Sequence, residues 1–455
     1  TTRTERYGIG MQFSKHNIFS KIHDSENYFL LNLLSRNADI LEPAAAERFS
    51  SAALTDTETE EYISKGYVVD PDEEKARYRQ AYLDFIEARE NSEIQLFFVP
   101  TYGCNFSCSY CYQNDYSRPE ERLDRKVLDA FYRYLDTAFA GRSKYITIFG
   151  GEPLLPGEAY RAGFRDLVEG ARERKLSYAV VTNGYHLTDY LDILSKGEVR
   201  EIQVTLEGPE DVHDRRRPLA GGGPTFGRIV EGIEGAMEEG MTVNLRVVVD
   251  RDNLPHLPEL ARYAGEKGWT GSPLFKTQLG RNYELHTCSA DPSVLFSRAE
   301  MYEALYGLLR RNPEVGEFHR PAYSISRFLF DNGELPDPLF DSCPGCKTEW
   351  AFDYAGRIYS CTATVGKEGE ELGTFYPRVR TDDEVIEEWE ERDVTAIGEC
   401  RECALSLACG GGCASVAKNR TGKILSPDCR PVKKLVSMGI SHYFGESGSG
   451  EHGTG

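Results

Sequence analysis

Twelve cysteines in a chain of 455 residues fall almost entirely into two blocks, and this distribution constrains the fold more than any other feature. Three lie between 104 and 111, one at 288, and eight between 343 and 429. No signal-peptide pattern opens the sequence, so metal or redox use is expected rather than a disulfide framework. The first block, Thr-Tyr-Gly-Cys-Asn-Phe-Ser-Cys-Ser-Tyr-Cys-Tyr-Gln over 101–113, sets Cys104, Cys108 and Cys111 at a 3-then-2 spacing. The intervening runs are long enough to curl and too short to wander. Three such thiolates can hold three irons of a [4Fe-4S] cube and leave the fourth iron open for chemistry. A zinc knuckle would need a fourth Cys or His close by, and the sequence offers none. The apolar run Ile94-Gln95-Leu96-Phe97-Phe98-Val99-Pro100 predicts a buried strand, which puts the loop at a strand end, where α/β barrels keep their active sites.

From 94 to about 280, strand and helix patterns alternate. Strands are expected over 96–99, 145–149, 178–182, 201–206, 243–249 and 274–279, and helices over 124–140, 158–174, 190–196, 226–239 and 258–267. Units of this kind build a parallel sheet curled into a partial barrel.

The segment CNFSCSYC resembles the CxxxCxxC signature of radical S-adenosylmethionine (SAM) enzymes, with the aromatic Tyr110 before the third cysteine. The resemblance implies that SAM chelates the open iron and is cleaved by one electron to methionine and a 5'-deoxyadenosyl radical. Later strand ends carry further matches. Gly150-Gly151-Glu152-Pro153 resembles the family's GGEP motif, where a carbonyl or carboxylate would accept from the methionine amino group. Asn183 ends the third strand within Thr-Asn-Gly, and Thr205 and Glu207 lie in a segment similar to the family's SLDGP type. Arg217, in His-Asp-Arg-Arg-Arg-Pro, would pair with the SAM carboxylate in a fork that Lys does not supply. Arg215 and Arg216 read as solvated loop charges. Arg246 lies on the fifth strand, where a charge more often faces solvent.

The second block reads Cys343-x2-Cys346, Gly356-x4-Cys361, Cys400-x2-Cys403-x5-Cys409-x3-Cys413 and Cys429. Eight thiolates divide into two sets of four, and CxxC pairs of this type suit zinc ribbons as well as iron. The array resembles the SPASM extension of radical SAM enzymes. That resemblance implies one auxiliary [4Fe-4S] cluster on Cys343, Cys346, Cys361 and Cys413 and a second on Cys400, Cys403, Cys409 and Cys429. With the SAM cluster, the expected cofactors are three [4Fe-4S] clusters and SAM. Cys288 is left over and receives no role.

The fold class expected is α/β: a partial (β/α)6 radical SAM barrel over 93–281, an α+β module over 1–92, and a SPASM domain over 342–444. A bridging region spans 282–341, and the glycine-rich 445–455 is expected to be a disordered tail. The first module predicts strands over 11–22 and 28–34 around a polar turn, then helices over 44–49 and 71–89, the latter with Asp70 as N-cap and Pro71 at its first position. It resembles precursor-recognition domains that hold a leader peptide as an added strand; the alternative is a structural cap on the barrel. The hairpin expected around Gly356 and a helix over 431–444 complete the reading.

A net charge of −20 disfavours nucleic acid, and no apolar run approaches 18 residues, so no membrane partner is expected. The resemblance implies a cytoplasmic enzyme that abstracts hydrogen from a ribosomally made precursor peptide of leader plus core. It would install a thioether, carbon-carbon or ether crosslink, or a related modification, and would draw electrons from a reductant such as flavodoxin or ferredoxin. A second reading is a sulfatase-maturing enzyme that forms formylglycine; those enzymes place an Asp base where Thr362 stands. A third is a noncatalytic iron-sulfur or zinc scaffold.

Overall fold

The computed structural model describes residues 10–111, 113, 123–282 and 292–445. Cys288 and all of the expected tail beyond Gly445 lie outside the described residues.

The N-terminal part contains β1 (Gln12–Phe13), β2 (Asn17–Lys21), β3 (Tyr28–Asn32), β4 (Asn37–Leu41), α1 (Pro43–Ser51), α2 (Asp56–Ser64), β5 (Val68–Val69) and α3 (Pro71–Asn91). Strands β2, β3 and β4 form an antiparallel three-stranded sheet, and β1 pairs with β5. Asp70 caps α3 by accepting from the amides of Asp72 and Glu73, and Pro71 opens the helix. Strand β4, helix α2 and the two-residue strand β5 escaped the sequence pattern. Strand β4 alternates poorly because Asp39 sits in it, taking hydrogen bonds from Tyr67 and Lys65. Helix α2 is almost wholly polar, but the Thr55–Glu58 capping box marks its start.

The central part runs β6 (Ile94–Val99), α4 (Arg125–Ala138), β7 (Lys144–Ile148), α5 (Glu158–Glu173), β8 (Tyr178–Thr182), α6 (Leu191–Leu194), β9 (Val199–Thr205), α7 (Glu210–Arg216), α8 (Phe226–Glu238), β10 (Val243–Val249), α9 (Leu257–Glu266) and β11 (Phe275–Arg281). Strands β6 to β11 are parallel neighbours in chain order, the partial barrel expected from alternating βα units. Period-2 alternation sorts their side chains. Leu96, Phe98, Ile146, Ile148, Ile202, Val204, Leu245 and Val247 are buried in the main core. Gln95, Thr147, Gln203 and Arg246 face the concave interior instead, where they line a cavity.

Helices α10 (Arg298–Arg311), α11 (Pro313–Phe318) and α12 (Ser326–Asn332) lead to the cysteine-rich part. That part holds β12 (Glu349–Asp353), β13 (Arg357–Tyr359), β14 (Gly373–Thr374), β15 (Arg380–Thr381), α13 (Asp383–Glu390), α14 (Ser406–Cys409), α15 (Ala414–Thr421) and α16 (Val432–Phe444). The hairpin expected around Gly356 is β12–β13. Its first strand also adds in parallel to β6, so barrel and C-terminal part share one ten-stranded sheet. Among the described residues, no helix is long and apolar enough to cross a membrane.

Candidate active site

The cysteine loop leaves the end of β6 and is held by the segment after α7. The amides of Ser107 and Ser109 donate to the carbonyls of Pro218 (2.9 Å) and Arg216 (3.3 Å), and Ala220 N donates to Asn105 O at 2.8 Å. Loop and arginine segment therefore form one unit, which explains why both patterns occur together in the sequence. Cys104, Cys108 and Cys111 all line the cavity. Burial pushes the Cys104 thiol up to about 12, with Glu152 adding to it. Burial also raises Cys108, while Arg217 pulls the other way. Thiols in such a setting ionise when a bound cation takes the charge.

Behind the loop lies a buried charged network. Arg217 Nη1 donates to Tyr110 Oη at 2.6 Å, and that hydroxyl donates to Glu207. Glu207 also accepts from Asn253 Nδ2 at 2.9 Å. Arg216 is not the solvated charge that its neighbours suggested. It is buried and pairs with Asp250 at 2.8 Å, with Glu207 3.6 Å away, because the helical turn of α7 directs it inward while Arg215 stays exposed. His213, fully buried, accepts from the Glu207 amide at 3.2 Å. Burial raises the Glu207 carboxyl, opposed by Arg216 and Arg217. Glu207, expected among the cofactor contacts, does not line the cavity and stands behind its wall, bracing Tyr110. Arg217 lines the cavity, and its buried Nε has no hydrogen-bond partner.

The GGEP segment packs against the cysteine loop and also reaches the cavity. A Cβ on Gly151 would lie 2.1 Å from Gly103 O, so a glycine is needed there for the cysteine loop's backbone to pass this close. The Gly151 and Glu152 amides donate to the carbonyls of Thr101 (3.1 Å) and Gly103 (2.8 Å). The Glu152 carboxylate, fully buried, is occupied by Thr182 Oγ1 (2.6 Å), Asn183 N (2.6 Å) and Leu154 N (2.8 Å). Pro153 is buried beside it. Gly150 and Gly151 remain at the cavity wall together with Asn183 and Thr205. Asn183 Nδ2 donates to Asn105 Oδ1 at 2.7 Å. Asn105 and Asn253 had no signal in the sequence beyond being polar residues near strand ends.

The cavity has a volume of about 780 Å³ and runs from the cysteine loop across the concave face of the sheet. Arg246 faces into it, in line with Thr205 on the next strand and 3.5 Å from Gln203 Oε1. Thr362 and Ala363, which follow Cys361, close part of the wall. Thr362 N donates to the carboxyl of Glu349 at 3.1 Å, and burial pushes that carboxyl up to about 7.

The eight later cysteines fall into two neighbourhoods. Cys343, Cys346, Cys361 and Cys413 influence one another: Cys343 and Cys413 raise Cys361, while Cys361 and Cys343 raise Cys346, each after burial. In the second neighbourhood, Cys409, Cys403 and Cys429 raise Cys400, which burial has already carried upward, to about 11. All eight, like the first three, are free of disulfides. Among the described residues, no three His, Cys, Asp or Glu side chains converge tightly enough for a single metal ion.

Comparison with known proteins agrees with this architecture. Residues 98–264 match the family model described as the Radical SAM superfamily. A serine-type anaerobic sulfatase-maturating enzyme of Bacteroides thetaiotaomicron is 24% identical over 369 residues, covering 75% of this chain and 86% of that protein. A probable GTP 3',8-cyclase of Methanopyrus kandleri is 28% identical over 302 residues, 63% of this chain and 89% of that protein. The structure of native anSMEcpe with bound AdoMet shares the fold at a TM-score of 0.58 and 18% identity, covering 78% of this chain and 97% of that one. That of Streptococcus suis SuiB bound to precursor peptide SuiA does so at 0.52 and 15%, covering 92% and 99%. The three-cysteine loop at the barrel strand end lies inside the segment, residues 98–264, that matches the Radical SAM superfamily model, and the fold is shared with the two solved structures.

Proposed function

We propose that the chain is a SPASM-type radical SAM enzyme that modifies a ribosomally made peptide by net oxidation. The observation that carries this reading is a single cavity lined by Cys104, Cys108, Cys111 and Arg217 at one end and by Thr362 and Ala363 of the cysteine-rich part at another. The residues present fit SAM and its cluster. Three thiols face the cavity beside a buried guanidinium whose Nε has no partner, a donor suited to a carboxylate. When bound, the cluster and SAM supply a 5'-deoxyadenosyl radical. Arg217, braced by Tyr110 and Glu207, orients the SAM carboxylate. Gly150, Gly151 and Asn183 offer polar backbone and amide groups to the rest of SAM, and Thr205 supplies a hydroxyl.

Cys343, Cys346, Cys361 and Cys413 would hold one auxiliary cluster, and Cys400, Cys403, Cys409 and Cys429 the second; their two neighbourhoods support this division. Oxidative crosslinking removes two hydrogens from the peptide. One leaves as an atom with the deoxyadenosyl group, and the other as a proton to solvent and an electron, which a cluster held by the auxiliary cysteines would accept. A reductant such as flavodoxin or ferredoxin would supply the initiating electron in the cytoplasm. The N-terminal module, 1–92, would bind the leader: among the described residues β4 pairs only with β3, and Ile40 beside its open edge is 56% exposed.

The test is incubation of the reduced, iron-loaded chain with SAM and a peptide encoded by a short neighbouring reading frame. The product should have lost two hydrogens by mass spectrometry, with deoxyadenosine formed in equal amount. Unchanged peptide alongside abundant deoxyadenosine from every candidate would count against peptide oxidation. Formylglycine formation is the second reading, favoured by the sulfatase-maturating relative. Thr362 lacks the carboxylate of those enzymes, although Glu349 places one beside it. A sulfatase-derived Ser or Cys peptide distinguishes the two.

A further inference from the structure

Arg392 is completely buried, and its guanidinium is engaged by four backbone carbonyls. Nε donates to Ile424 O at 2.9 Å, Nη1 to Gly412 O at 3.1 Å, and Nη2 to Gly411 O at 2.8 Å and Ser426 O at 3.0 Å. Those carbonyls belong to two segments. The first, Gly410-Gly411-Gly412, links Cys409 to Cys413, one cysteine from each auxiliary set. All three glycines have positive φ, from 59° to 73°, a left-handed run that side chains resist. A Cβ on Gly412 would lie 2.0 Å from Asp428 O. The second segment, 424–428, leads directly to Cys429. The turn also holds Ser342, next to Cys343, through Ser342 N to Gly410 O at 2.9 Å. One guanidinium therefore ties together the approaches to Cys409 and Cys429 of one set and to Cys413 and Cys343 of the other.

Charge points the same way. Asp341 pairs with Lys347 at 2.6 Å and with Arg392 at 3.7 Å, and all three side chains are no more than 4% exposed. Among the described residues, Asp341 is the one buried carboxylate within ion-pair distance of either cation. Two buried cations facing one anion leave a positive excess, which a protein interior tolerates only when further negative charge lies nearby. Thiolate-bound clusters on both sides would provide it.

We propose that Arg392 is the positioning residue shared by both auxiliary cluster sites, fixing the glycine turn that feeds a cysteine to each and setting a permanent positive charge between them. This rests on the two-cluster reading above, and the test separates the two. The full chain and its Arg392→Met, Arg392→Lys and Lys347→Met variants are reconstituted anaerobically; iron and sulfide are counted, and cluster potentials are read by EPR-monitored titration. The parent should hold about twelve irons and Arg392→Met about four, both auxiliary sites emptying together while the SAM-responsive signal persists. Arg392→Lys, which keeps the charge, should recover part of the lost iron. Lys347→Met should keep its iron and lower the potential of one auxiliary cluster alone. Arg392→Met with full iron and unchanged auxiliary potentials, or with only one cluster lost, overturns the proposal. Should Arg392→Met fail to fold, full iron in Arg392→Lys together with unchanged auxiliary potentials in Lys347→Met overturns it equally. A parent with about four irons would instead remove the two-cluster reading itself.

Discussion

Arg217 and Arg216 are adjacent in sequence and have separate duties. Arg216 is spent on Asp250 through both terminal nitrogens, whereas Arg217 lines the cavity beside the cysteine loop. A charge-assisted hydrogen bond contributes roughly 1.5–3 kcal/mol, so Arg217→Gln should weaken SAM binding by about 10- to 100-fold. Arg217→Lys should recover little of this, because a single ammonium cannot reproduce the fork. Arg215→Gln, at an exposed position, should leave binding unchanged; equilibrium binding of SAM to the iron-loaded variants checks all three. His16 offers a pH test. It is 3% exposed, stacks on Tyr78, and has no partner for either ring nitrogen. Burial, then Lys15, lowers it from 6.5 to about 4. The folded state thus binds the proton less well than the unfolded one, so this contribution is complete above pH 6.5 and is lost as pH falls toward 4. Urea midpoints should drop between pH 7 and pH 5, and His16→Phe should flatten that dependence by about 2 kcal/mol. Equal slopes would contradict it. At this scale the sequence was most legible in its cysteines, whose spacing is itself chemistry. It was least legible in Arg216 and Glu152, whose surroundings arise from strands and turns far away in the chain.

Strands β6, β7, β8 and β10 were legible because each is a short run rich in apolar and β-branched residues, and the helices between them carry apolar faces, whereas β11, Phe-Lys-Thr-Gln-Leu-Gly-Arg, was legible as the next unit of the alternation. Strand β4 and helix α2 were not, because their stability comes from contacts such as Tyr67 to Asp39 and from a capping box rather than from a hydrophobic stripe. The edge of β4 is where the leader is proposed to add. Covering Ile40 should contribute about 1.5 kcal/mol, so Ile40→Asp should weaken a leader peptide by roughly tenfold in fluorescence anisotropy. Deoxyadenosine formation without peptide should not change. Unaltered leader affinity would place recognition elsewhere.

Across the whole molecule, the barrel and the cysteine-rich part are joined through the sheet itself. Strand β12 lies against β6, and Asp353 accepts from Tyr102, two residues before Cys104, at 3.0 Å. A composition-level view separated these parts because the cysteine pattern begins at 343, but strand pairing does not follow motif boundaries. The arrangement sets Thr362 of the C-terminal part and the three-cysteine loop around one cavity.

The central claim is tested most directly by anaerobic reconstitution of the full chain, reduction with dithionite in the presence of SAM, and assay of 5'-deoxyadenosine. The account predicts deoxyadenosine from the parent and none from the Cys104→Ala/Cys108→Ala/Cys111→Ala variant, with the remaining iron of that variant retained on the eight later cysteines. Deoxyadenosine that persists in the triple variant, or an iron-loaded parent that leaves SAM intact, would contradict it.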